Sequence, residues 1–234
     1  MPRPVHRCVL LFARSPREEA RLKGLGGAER LFALAAERVA DAAARSGFDL
    51  LVVGGALRPA GSHRLPQRGR GFAERLSNAF ADASALGYEL VVAVPGDVPG
   101  VDATLLAEAG RALEEASIVL GPSPDGGVYL LGCAPSRVPA FRDVRWQTGG
   151  VFSDLCTQAS ALGLAVRVLR ALGDLDRFRD LDRLARQPGL DPLLLLLVRE
   201  IRRCSPPRVF GVEARLSGLF DPLSSALRGP PALA

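Results

Sequence analysis

The sequence predicts a three-layer α/β/α fold built around a mostly parallel, mixed sheet. Three observations carry this. Short unbroken apolar runs recur along the chain, as strands covered on both faces require. Segments with helical spacing of apolar residues alternate with them. The alternation breaks once, at Asp125-Gly126-Gly127, where an Asp-Gly turn signals a hairpin and hence an antiparallel strand.

The elements follow in order. Cys8 to Ala13 is the first apolar run. A polar loop, Arg14 to Gly27, carries Arg14, Arg17, Arg21 and Lys23. A helix from about Ala28 to Arg45 has Leu31, Ala35, Val39 and Ala42 on one stripe, and Gly47 ends it. Leu50 to Val53 is a second strand, stopped by Gly54-Gly55. Arg58 to Gly71 reads as a long loop rich in Gly, Pro and Arg. Phe72, Leu76, Ala79, Phe80 and Ala83 have helical spacing, closed by Gly87. Leu90 to Val94 is a third strand, running into Pro95-Gly96-Asp97-Val98-Pro99. Asp102 caps a helix bearing Leu105, Leu106, Ala109 and Leu113. Ile118 to Leu120 and Val128 to Leu131 are the hairpin strands. A helix after Trp146 presents Val151, Leu155, Ala159 and Leu162. Leu164 to Leu172 reads as a strand, and Asp174 to Asp182 as an acidic turn into a short helix. A last helix, about Asp191 to Arg203, precedes an irregular tail. The expected division is an α/β domain over residues 1–189 and a helical extension with its tail over 190–234.

The chain has 234 residues, 48% of them hydrophobic, enough to bury a large core. The formal net charge is +5, which suits an anionic small molecule. With no block of like charges and few aromatic residues, nucleic acid is excluded as the expected partner. Of 30 basic residues only Lys23 is a lysine. Cys8, Cys133, Cys156 and Cys204 form no CxxC pair, which points to a reducing, cytoplasmic setting. No membrane span is expected, since Leu193 to Val198 is far too short. That helix reads as buried, or as packing on a partner or a second copy in a homodimer. No HExxH, P-loop or GxGxxG pattern occurs.

Ligands of open parallel sheets bind outside the carboxyl ends of the strands. Asp97 is the sharpest candidate there, following an apolar strand between Gly96 and Pro99. A carboxylate so placed can hold Mg²⁺ or Mn²⁺ against phosphate oxygens; the plain alternative is a turn aspartate bonded to its own backbone. Asp125-Gly126-Gly127 can offer backbone N–H groups to an anion or sugar, or can simply close the hairpin. Arg14, Arg21 and Lys23 can bind phosphate, with Gly26-Gly27 opening a helix behind them, or form a solvated basic loop. Gln67 and Arg75 lie in or just after the long loop, a candidate nucleotide-binding loop. Asp174 and Asp176 can complete a metal site. Asp180 reads as a cap.

Taken together, "LFARSP", "QRGRGFAERLSNAF", "VVAVPGDVPGVDATLL", "VLGPSPDGGVYLLGC", "VRWQT" and "GDLDRFRDLDRL" occur in one order. The set resembles a bacterial family of GT-A-like transferases, the glycosyltransferase-like or radical-SAM/selenodomain-associated type. That family is similar to 2-phospho-lactate guanylyltransferase and to the molybdenum-cofactor nucleotidyltransferases. The resemblance implies a nucleotide-diphospho-sugar transferase fold, with a nucleotide bound by the first loop and a metal on Asp97. It carries Asp125, Gly126 and Gly127, then Trp146 and Thr148, then Asp174 and Asp176 into the donor or acceptor site. Where the family has Lys-Thr-Arg-Leu, this chain has Glu19-Ala20-Arg21-Leu22, followed by Lys23. Two functions follow. The first is a metal-dependent transferase using a nucleotide or nucleotide-sugar donor and a small-molecule acceptor, with glycosyl transfer ahead of nucleotidyl transfer. The second is a catalytically degenerate scaffold on the same fold.

Overall fold

A computed structural model describes residues 5–204, apart from residues 56 and 142. Seven strands form one sheet in the order β3-β2-β1-β4-β6-β5-β7. They are β1 (Arg7–Phe12), β2 (Asp49–Val53), β3 (Ser62–Leu65), β4 (Leu90–Pro95), β5 (Ile118–Pro122), β6 (Val128–Cys133) and β7 (Val166–Val168). All neighbours pair in parallel except β6, which runs antiparallel to both β4 and β5. That is the expected hairpin strand, so the mostly parallel mixed sheet is borne out.

Side chains alternate across a strand, and here both faces are apolar. Cys8, Leu10, Phe12, Val91 and Ala93 face a core completed by α3 (Phe72–Ala85), a 3₁₀ turn (Pro135–Phe141) and α5 (Val151–Ala161). Val9, Leu11, Val92 and Val94 face a second core completed by α2 (Glu29–Arg45) and α4 (Ala103–Glu115). A third cluster joins α1 (Pro16–Leu22) and the start of α2 to α6 (Asp180–Ala185) and α7 (Pro192–Cys204). Asp102 caps α4 by accepting from Leu105 N at 2.8 Å.

Four expectations change. The first loop contains α1. The long second loop contains β3, where His63 stands exposed on an edge strand instead of in a loop. The strand expected over Leu164 to Leu172 is regular only over β7, although Leu169 N still donates to Leu120 O at 2.8 Å. Leu162 falls past the last turn of α5 and is exposed, not on its buried face. The last helix is α7, buried through Leu194, Val198 and Ile201 and exposed at Leu193 and Leu196. The tail expected after it lies outside the described residues. Among the described residues no helix is long and apolar enough to cross a membrane.

Candidate functional site

The strand order reverses direction at β1, whose neighbours are β2 on one side and β4 on the other. A crevice opens at the carboxyl ends of such strands. There Gly96 N donates to Phe12 O at 2.8 Å, and a Cβ on Gly96 would stand 2.8 Å from that of Ala13. Glycine therefore lets the two strand ends close up. Asp97 follows directly, and its carbonyl accepts from Leu175 N at 2.9 Å. This bond ties the late acidic segment to the same turn.

Helix α1 supplies the opposite wall. Ser15 Oγ accepts from Glu18 N at 3.2 Å and Pro16 stands in the first turn, a regular helix start. Glu19 and Lys23 are four residues apart and so share a face. Lys23 Nζ reaches Asp97 Oδ2 at 2.5 Å, Asp176 Oδ1 at 2.7 Å, Leu175 O at 2.9 Å and Glu19 Oε1 at 3.4 Å. Arg14 donates to Glu19 Oε2 at 3.1 Å from behind. The ring of Phe32 lies 5.9 Å from the ammonium. Burial alone would lower the Lys23 pKa, but the Asp97, Asp176 and Glu19 carboxylates outweigh it and hold the group above the ordinary lysine value. Lys23 therefore stays charged.

These oxygens are hard donors of the kind Mg²⁺ or Mn²⁺ takes. Asp97 Oδ1 is buried with no hydrogen-bond partner, so one carboxylate oxygen is left for a further ligand. Among the described residues no three acidic, His or Cys side chains could hold a metal by themselves. Asp97 and Asp176 fit the ion as two ligands whose set the oxygens of a bound phosphate would complete.

The remaining candidates divide. Gln67 covers the exit of β2, with Oε1 3.5 Å from where a Gly54 Cβ would stand, and its Nε2 is buried without a partner. Arg21 is exposed on α1. Arg75 is buried, and its guanidinium holds the Gly69 carbonyl at 3.1 Å, anchoring the loop before α3. Asp174 is buried beside Arg183, 4.0 Å from its guanidinium, and is not among the oxygens around Lys23. Asp125 is exposed and bonded to its own turn, accepting from Gly127 N at 3.1 Å. Thr148 likewise closes its own turn, donating to Arg145 O at 2.7 Å. Trp146 packs on Phe72, ring centroids 5.3 Å apart. Gly126 lies against the Trp146 to Gly150 segment, so two of the sequence motifs do meet. Asp180 does not cap α6 as expected: it is the first residue of that helix, and its carboxylate accepts instead from Asp176 N at 3.0 Å and Arg177 N at 2.7 Å, in the turn that precedes it. Glu19 was not among the expected site residues. Its spacing from Lys23, the i,i+4 pair of an ion-paired helix, is the signal that would have found it.

A model of a bacterial family described as "Uncharacterized protein conserved in bacteria (DUF2064)" matches residues 20–148, the span that holds Lys23, Asp97 and the Asp125-Gly126-Gly127 turn. The chain belongs to the DUF2064 family. This DUF2064 chain shares its fold with solved transferase structures. One, from Desulfovibrio desulfuricans G20 and put forward as a nucleotide-diphospho-sugar transferase, is 24% identical. The match covers 86% of this chain and 98% of that one, with a TM-score of 0.73. A Methanothermobacter nucleotidyl transferase is 15% identical over 77% of this chain and 96% of that one, TM-score 0.53. A cytidylyltransferase of Leptospira borgpetersenii is 11% identical over 86% and 95%, TM-score 0.52. The DUF2064 chain thus has the nucleotide-diphospho-sugar transferase fold, as the ordered motifs implied.

Proposed function

We propose that the chain is a transferase that takes a nucleotide-activated donor and binds its diphosphate in the crevice between β1 and β4. The observation that carries this reading is the meeting of Asp97 with Lys23, from the basic segment after β1, where the strand order reverses. A Mg²⁺ or Mn²⁺ ion held by Asp97 and Asp176 would neutralise the diphosphate as it leaves. Arg14 and Lys23 supply positive charge for it. Gln67 offers its unpartnered N–H to the nucleotide. Asp125 fixes the Gly126-Gly127 turn, which with Trp146 forms a wall for sugar or acceptor. Glycosyl transfer is our first reading and nucleotidyl transfer the second, since both set positive charge against a diphosphate. The four cysteines are free thiols, which suits the reducing cytoplasm in which we place the reaction.

The test is calorimetry with a panel of nucleoside triphosphates and nucleotide sugars, with Mg²⁺ or Mn²⁺ present. At least one donor should bind, and Asp97→Asn should weaken it tenfold or more while the chain stays folded. Absence of binding across the panel sinks the transferase reading. A folded Asp97→Asn chain that keeps the biological phenotype would favour the scaffold instead.

A further inference from the structure

The chain has 30 basic residues and uses arginine for all but Lys23. That one lysine stands where an arginine would serve poorly. An ammonium is compact and carries three protons, whereas a guanidinium is a flat fork. Three oxygens, from Asp97, Asp176 and Leu175, lie within 2.9 Å of Nζ and take those three protons. The ammonium is thus coordinated much as a small metal ion would be, and the second oxygen of Asp97, Oδ1, is left buried and unpaired.

Charge shows what this arrangement lacks. The carboxylates of Glu19, Asp97 and Asp176 face Lys23 and Arg14, which leaves one negative charge in excess. A pocket in that state repels a diphosphate. Exchange of the ammonium for a divalent cation would cancel that excess, and the displaced head group, still beside the anion, would make the pocket positive. The stem of Lys23 has four carbons and rotates freely. Its residue is the C-cap of a seven-residue helix, followed by Gly24 at φ +63°, so the head can leave the carboxylates without a strand moving.

We propose that Lys23 is an exchangeable internal cation. It holds Asp97 and Asp176 together in the free protein, yields them to a divalent metal ion arriving with the donor diphosphate, and then pairs with that diphosphate. This rests on the donor reading given above.

A single lysine makes the test direct. Protein labelled with ¹³C,¹⁵N-lysine gives one lysine side-chain signal, that of Lys23, in the full chain. The signal should move only at high Mg²⁺ when the ion is added alone, and should shift to saturation at much lower Mg²⁺ once inorganic pyrophosphate is present. A signal that stays fixed while calorimetry records pyrophosphate binding overturns the exchange and makes Lys23 a permanent cation. Independently, free Mn²⁺ read by electron paramagnetic resonance should show Lys23→Met binding Mn²⁺ alone at least tenfold tighter than the parent. Equal or weaker binding by a folded variant also overturns the proposal. If that variant does not fold, the lysine signal of the parent chain decides. Tighter Mn²⁺ binding by Lys23→Met, with the parent chain binding no pyrophosphate at any Mg²⁺ concentration, would support the metal exchange and remove the donor reading, so the two failures are distinct.

Discussion

At Gly126 the backbone turns with φ +87°, and an added Cβ would lie 2.0 Å from the Gly149 carbonyl oxygen. The Gly126 carbonyl also accepts from Phe152 N at 3.0 Å, so the turn cannot back away cheaply. Gly126→Ala combines a left-handed strain with a backbone clash, and should cost about 2 kcal/mol or more. Urea unfolding checks this; a loss within 0.5 kcal/mol would show that the contact yields. Single residues were legible to different degrees. Asp97 announced itself by standing after an apolar strand between glycine and proline. Asp180 read as a cap, but its carboxylate closes the turn before α6 and not the helix end. Lys23 was legible as a candidate phosphate contact, but its pairing with Asp176 and Glu19 was not, because that depends on a helix that no apolar stripe betrays: Pro16, Arg17, Glu18 and Glu19 fill its first turn. The bond of Arg75 to its own loop was not legible, because an arginine beside a long loop looks the same whether it meets a ligand or the loop's carbonyls.

Elements were legible where an apolar period was long enough to register. Helices α2, α3 and α4 and strands β1, β2 and β4 fall where their patterns place them. β3 was missed because Ser-His-Arg-Leu carries a single buried residue, as an edge strand with one open side allows. One element carries a pH prediction. Asp154, in the first turn of α5, accepts from Arg145 N at 3.0 Å and Nε at 2.9 Å and so pins the segment bearing Trp146. The hydrogen bonds from the Arg145 side chain, then its backbone, hold the Asp154 carboxyl below its ordinary value of 3.8. With a folded pKa below the unfolded one, the anchor is fully present above that ordinary value and is lost as pH falls through the folded one. Trp146 is the only tryptophan. Its fluorescence should change in a step centred below pH 3.8 that Asp154→Asn abolishes. A step centred above pH 4, or one that survives the substitution, would contradict the anchor.

For the molecule as a whole, the third apolar cluster matters most, because it backs the site. Val198 and Leu194 of α7 are buried with Leu31, Phe32 and Ala35 of α2, and the same cluster takes in Leu175, next to Asp176. Val198→Asp should lower unfolding free energy by about 3 kcal/mol or more, since it buries an unpaired charge. Leu196→Glu, at a position 59% exposed, should stay within about 0.5 kcal/mol. Equal losses in thermal unfolding would mean that α7 is not seated as described. The layer architecture was readable from the alternation of runs alone. The site was readable only in part, since its decisive contacts join residues 74 and 153 positions apart in the chain.

The order of the strands leaves two borders to the sheet, β3 and β7, and neither invites another chain to add on. β3 spans four residues and β7 three, and each carries an exposed arginine, Arg64 on one and Arg167 on the other. Short borders studded with charge are poor templates for fibrillar growth. The hydrophobic strands between them are thereby insulated from self-assembly, and a concentrated solution of the native protein should resist sheet-to-sheet stacking even though its core strands, freed from the fold, would favour it.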